Sequence, residues 1–151
     1  MVFPNFFVTL QKNLSFMSIE ELEKRLPGLR KEAGQTYKKL GINYKVARRI
    51  QQGENYRFDA MFLYLDGLGY LLVMNNEVIQ NIEQLGNALA LLRENQKVSW
   101  AKIQEETGMS SQQIGAIEHG KNYYRSSLLK YLRFVNASFD IKSMMEYYNF
   151  I

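Results

Sequence analysis

The chain of 151 residues has no cysteine, one histidine and two prolines. Without Cys there is no disulfide, no thiolate metal site and no cysteine nucleophile. His119 stands alone, and a lone imidazole does not make a zinc site of the usual His and Cys composition. No apolar run approaches the roughly 20 residues needed to span a bilayer; stretches such as 71–74 are far too short. The opening residues lack a positive start and a long apolar core, so they do not read as a secretory signal. A phosphate-binding Gly-rich loop is missing too, and the carboxylates fall into no motif of known mechanics. Together these absences predict a cytoplasmic protein with no enzyme activity, no metal, no cofactor and no membrane partner.

What is present belongs to a folded protein. Hydrophobic residues make up 46% of the chain and charged residues 23%, which excludes wholesale disorder. Ten Tyr and nine Phe give ample material for a core, with some left for an interface. The net charge of +4 belongs to the first half. Residues 1–75 hold 11 Lys/Arg against 7 Asp/Glu, and residues 76–151 hold 8 against 8. Basic character permits phosphate-backbone binding without proving it.

Sliding the chain against itself gives its strongest signal. At an offset of 67, Gly41, Ile50, Gly53, Asn55, Tyr56, Tyr64 and Leu65 fall on Gly108, Ile117, Gly120, Asn122, Tyr123, Tyr131 and Leu132. Ile42 over Met109, Met61 over Leu128 and Leu68 over Val135 keep apolar character in the same register. The reading is a duplicated unit of two copies, residues 1–75 and 76–151, meeting at Asn75-Asn76.

The helices are clearer in the second copy. Ile82, Leu85, Leu89 and Leu92 recur at helical spacing and predict a helix over 81–95. Ser99 is placed to cap a helix over 100–107, which Gly108 ends. Ser110 and Gln113 have the spacing of a capping box opening a third helix, closed by Gly120. A fourth is predicted over 126–136. In the first copy, Ser18 and Glu21 repeat the capping-box spacing, with Met17 and Leu22 placed as a staple. Pro27-Gly28 predicts a break, with one short helix on each side. Arg30 and Gly41 lie closer together than Arg93 and Gly108, so the first copy's second helix is expected to be shorter by about a turn. Asp59 reads as the cap of its fourth helix, which ends at Gly67 or Gly69. Residues 70–74 read as a short strand or extended joint. The fold class expected is therefore all-α, with a short strand between the copies.

Residues 82–141 resemble the helix-turn-helix domain of Cro/CI-type, xenobiotic-response-element regulators. The likeness rests on Leu92-Arg93-Glu94 and on the run from Gly108 to Gly120, GMSSQQIGAIEHG. Gly41 to Gly53 keeps the same spacing, with Gln51 where the family prefers Glu. Gln104 and Tyr37 depart from the small residue usual four before the turn Gly, and Trp100 stands where the family often has Gln. The resemblance implies a DNA-binding, repressor-like transcriptional regulator whose third helices enter the major groove of double-stranded DNA. It also implies a structural ion pair, Arg93 with Glu118, fastening the first helix to the third. The first copy, with Arg30 and Gln51, lacks the opposite charge.

With Ile114 and Ile117 inward, Gln112, Gly115, Ala116 and His119 project outward, flanked by Ser111. Gln112 is suited to adenine and Ser111 to several bases; alternatively Ser110 and Gln113 serve only as the cap and Gln112 is solvated. The first copy's outward face carries Lys45, Arg48, Arg49 and Gln52, suited to phosphates or guanine edges, or simply a solvated charged face. Lys121 and Asn122 follow the third helix where backbone contact is expected. The candidate DNA-binding set is thus Lys45, Arg48, Arg49, Gln52, Ser110, Ser111, Gln112, Gly115, Lys121 and Asn122.

Residues 144–151 are rich in Met, Tyr and Phe. As an extra helix they close the core or form a homodimer contact through 143–151. The competing reading is a protein-interaction or antitoxin-like module in which the degenerate copies mediate dimerisation.

Overall fold

The computed structural model describes residues 17–149. Within them the chain is mostly helical, with a small three-stranded antiparallel sheet. The first half runs through α1 (Ile19–Glu32), α2 (Tyr37–Leu40), α3 (Tyr44–Gln52), α4 (Asp59–Leu68) and β1 (Tyr70–Met74). A short strand, β2 (Glu77–Ile79), leads into α5 (Ile82–Asn95), α6 (Trp100–Thr107), α7 (Ser111–Glu118) and α8 (Arg125–Tyr131). Strand β3 (Phe139–Ser143) and α9 (Met144–Asn149) follow. No helix among the described residues is long and apolar enough to cross a membrane.

Local chemistry sets most helix starts. Ser18, Thr36, Asn43, Asn81, Ser99 and Ser110 each accept a backbone N–H of the first turn. The box at Ser110 is complete: Gln113 N donates to Ser110 Oγ (3.1 Å) and Ser110 N to Gln113 Oε1 (3.0 Å). At Ser18 only the first half forms, because the Glu21 carboxylate takes the Ser18 hydroxyl instead (3.2 Å). Gly41 and Gly108 end α2 and α6 in the left-handed region, at φ 72° and 74°, which a Cβ would disfavour.

Four expectations need correction. Helix α1 runs unbroken through Pro27. An interior Pro costs about 3 kcal/mol, whereas burying Ile19, Leu22 and Leu26 returns roughly 1.5–3 kcal/mol each. The apolar stripe therefore wins. Asp59 does not cap α4; the cap position is Phe58, fully buried, and the Asp59 carboxylate meets Arg57 Nη2 at 3.1 Å. Helix α8 stops at Tyr131 instead of running to Asn136. The chain tightens into turns, Arg133 N donating to the Lys130 carbonyl and Phe134 N to that of Tyr131, and Gln96 then holds both backbone groups of Asn136, at 2.8 and 2.9 Å.

The fourth correction is the sheet itself, which an all-α reading omits. Asn75 and Asn76, at φ 49° and 70°, make the tight turn joining β1 to β2, a backbone shape suited to two-residue hairpins. On its other side β1 pairs antiparallel with β3, Leu72 opposite Ile141. Phe139 is buried and Lys142 exposed, so β3 alternates as a half-buried strand should.

Helix α2 has four residues and α6 eight, the expected loss of a turn. The loss falls at the far end: Tyr37 opens α2 as Trp100 opens α6, so Tyr37 corresponds to Trp100 and not to Gln104. The buried apolar side chains of both halves, from Ile19 to Phe139 and Leu71 apart, belong to one contiguous core.

Candidate nucleic-acid interface

The third helices, α3 and α7, are positioned by what holds their ends. In the second half that is a charged cluster. Arg93 on α5 donates Nε to Glu118 Oε2 (2.5 Å) and Nη2 to Glu118 Oε1 (3.1 Å), a two-pronged pair. Trp100 Nε1 adds a bond to Oε1 (3.1 Å) and the Tyr131 hydroxyl one to Oε2 (2.6 Å). Arg93 Nη1 also donates to the Val98 carbonyl (3.0 Å). Glu118 is only 6% exposed. Burial pushes its carboxyl up, but the bonds from Arg93, Tyr131 and Trp100 outweigh that and hold it below the usual range. Burial, and then the carboxylate, push the Tyr131 hydroxyl well up.

The first half fills the same positions differently. Gln51 stands in place of Glu118, accepting from the Tyr37 hydroxyl (3.0 Å) and donating to the Tyr64 hydroxyl (2.6 Å). Arg30 Nη1 finds the Gln35 carbonyl (3.1 Å), and its guanidinium lies 4.5 Å from the Tyr37 ring centre. Its Nε is buried without a partner. An amide has no second lone-pair-rich oxygen to offer it.

A third cluster joins the halves. Glu23 on α1, 1% exposed, accepts Arg125 Nε (2.7 Å) and Nη2 (2.9 Å) from the second half. The Tyr56 hydroxyl also donates to it (2.7 Å). At the matching place across the molecule stand Gly86, Phe58 and Tyr123. With no carboxylate there, the buried Tyr123 hydroxyl has no partner, while Phe58 stacks on its ring (6.1 Å, 9°). Sequence reasoning missed this cluster. Its signal was Glu23 itself, an acid within the apolar stripe Ile19, Leu22 and Leu26.

Between these anchors lies the exposed surface. Lys45, Arg48, Arg49 and Gln52 are all exposed on α3. With its amide oriented to satisfy both ends, Gln52 bridges Arg48 Nε (3.2 Å) and Glu54 (3.1 Å), tethering that cation. Arg49 borders a cavity of about 340 Å³, lined also by Asn43, Val46, Leu63 and Tyr124. On α7, Ser111 and Gln112 are exposed, and Ser110 is spent on the cap. Gln112 and Ala116 border a second cavity of about 510 Å³, again with Tyr124. Gly115 is half-exposed, and a Cβ there would be in ordinary contact with the Trp100 ring, at 3.6 Å. Lys121 is exposed, whereas the Asn122 oxygen accepts Arg57 Nη2 (2.6 Å) from the other half.

Among the described residues no group of three His, Asp or Glu is placed to hold a metal ion. Helix α9 has no buried residue; Met145 and Tyr148 are 72% and 53% exposed, so this helix does not close the core. Phe150 and Ile151 lie outside the described residues. Comparison with protein-family models, with curated proteins and with solved structures returned no match.

Proposed function

We propose that the chain is a duplicated helix-turn-helix protein of the Cro/CI type that binds double-stranded DNA as a repressor-like transcriptional regulator. The observation that carries the reading is the clamp on Glu118. It ties the end of α7 to α5 through Arg93 and to α6 through Trp100, while the outward side of α7, at Ser111 and Gln112, stays free. A helix fixed from behind and polar in front suits reading base edges in a groove. The cations Lys45, Arg48 and Arg49 give α3 a phosphate-binding front. Element order supports the duplication: four helices and a strand occur twice, with matched caps and turn glycines.

Fluorescence anisotropy with a labelled random-sequence duplex of about 30 base pairs tests the basic front. Binding should weaken steeply with salt, and Arg48→Ala with Arg49→Ala should lower the log–log slope by about one to two units. An unchanged slope removes these residues from the interface. Absence of binding at low salt defeats the reading.

A protein-interaction or antitoxin-like module is the second reading. It is favoured by the apolar side chains left open at Tyr44, Leu63, Met145 and Tyr148. In that reading residues 143–151 form a homodimer contact. Light scattering that finds a monomer at all concentrations sinks it.

A further inference from the structure

We infer that one chain spans both halves of its DNA element, as an internal two-fold pair with unlike faces, so that the element is asymmetric and holds one chain. The inference rests on the DNA-binding reading above and adds geometry and stoichiometry to it.

The two-fold is visible in two places where a residue meets its own counterpart, and in a pattern repeated at the flanks of the sheet. Phe58 N donates to the Tyr123 carbonyl (3.0 Å) and Arg125 N to the Tyr56 carbonyl (2.8 Å), with Arg57 facing Tyr124 between them. Each residue lies 67 positions from its counterpart, the offset of the sequence match. Exchange of donor and acceptor between matched positions is what a two-fold axis produces. Strands β1 and β3, each following the fourth helix of its half, pair antiparallel, and in their register Val73 lies opposite Asp140, its counterpart at the same offset of 67. At the sheet's flanks the pattern repeats. Strand β2 leads into the Asn81 cap and pairs with β1, while Met17 leads into the Ser18 cap and bridges Phe139 of β3.

A two-fold places equivalent helices on opposite sides of the axis at the same height along it, so both present their fronts toward the same end. Tyr124, 53% exposed and at that axis, borders the cavity beside Asn43 and Arg49 as well as the one beside Ser110 and Ala116. The fronts of α3 and α7 therefore flank a single exposed ring. A closed two-fold contact is self-complementary and already used within the chain, so no matching half of it remains for a second copy.

The faces themselves are unlike. At the offset of 67, Lys45, Arg48 and Arg49 correspond to Gln112, Gly115 and Ala116. At these three positions, cations on one side are matched on the other by one polar side chain, Gln112. Two-fold dimers with identical readers select palindromes; this pair selects one half by base edges and anchors the other through phosphates and guanines.

The test is selection of the full chain on duplexes with a random core of about 30 base pairs, followed by native mass spectrometry on the enriched duplex. Two unlike half-sites, centred about 10 base pairs apart and holding one chain, are expected. Gln112→Ala should cut preference at one base position about 5- to 150-fold and leave the other half-site untouched. Combined Lys45→Ala, Arg48→Ala and Arg49→Ala should weaken every sequence and lower the salt slope by about two to three units. A palindromic element holding two chains overturns the inference but leaves DNA binding standing. No enrichment and no binding defeats both.

Discussion

The two halves hold their first and third helices with the same four positions, filled by different chemistry. Arg93, Trp100, Glu118 and Tyr131 form an ion-paired knot; Arg30, Tyr37, Gln51 and Tyr64 form one whose cation has no carboxylate partner. Two replacements, Glu by Gln and Trp by Tyr, accompany a rearrangement of the partners. The guanidinium keeps its backbone bond, gains an aromatic face and loses its Nε partner. Geometry at such a site outlives its charge, because the surrounding aromatic rings fill the space whichever acid derivative stands in the middle.

The comparison breaks most severely where the halves meet. Arg125→Ala strands the Glu23 carboxylate in the core, and a loss of about 3–5 kcal/mol is expected in urea unfolding. A loss under about 1 kcal/mol would mean that the halves do not depend on this pair. Glu118→Gln should import the first half's chemistry into the second at a cost of about 1–3 kcal/mol. Because the Glu118 carboxyl is held below its usual range, the parent's advantage is full above the unfolded pKa of about 4.3. It fades as pH falls through the lower folded value. A difference constant from pH 7 to pH 2 would show that charge is irrelevant there. The reverse change, Gln51→Glu, gives Arg30 Nε an acceptor and should raise stability at neutral pH by about 1 kcal/mol. A lower melting temperature would mean the amide-centred knot is already the better fit. Least of all should the fronts matter to folding: Lys45→Ala, Arg48→Ala and Arg49→Ala should each stay within about 0.5 kcal/mol, since all three are exposed.

What the sequence told about these halves follows the range of the interactions. Caps at Ser99, Ser110 and Gly108 depend on neighbours three or four residues away, and their helices lie where the residues predict. The Arg93–Glu118 pair came through resemblance, although its Trp100 and Tyr131 partners did not. Pro27 misled because its local cost is plain while the burial that overrides it is tertiary. Strand β3 went unread because its partner, β1, lies about half the chain away. The Glu23–Arg125 pair, between residues 102 apart, needed the fold itself.

The turn at Asn75-Asn76 carries a consequence of its own. Two residues join β1 to β2, so the first half can never drift far from the second. Separate subunits come apart on dilution, and the fraction paired depends on how much protein is present. Here the local concentration of one half around the other is fixed by the tether, in the range of millimolar or above for so short a link. The pairing is therefore as complete for a few molecules as for many, and any activity that needs both halves should rise in direct proportion to the number of chains.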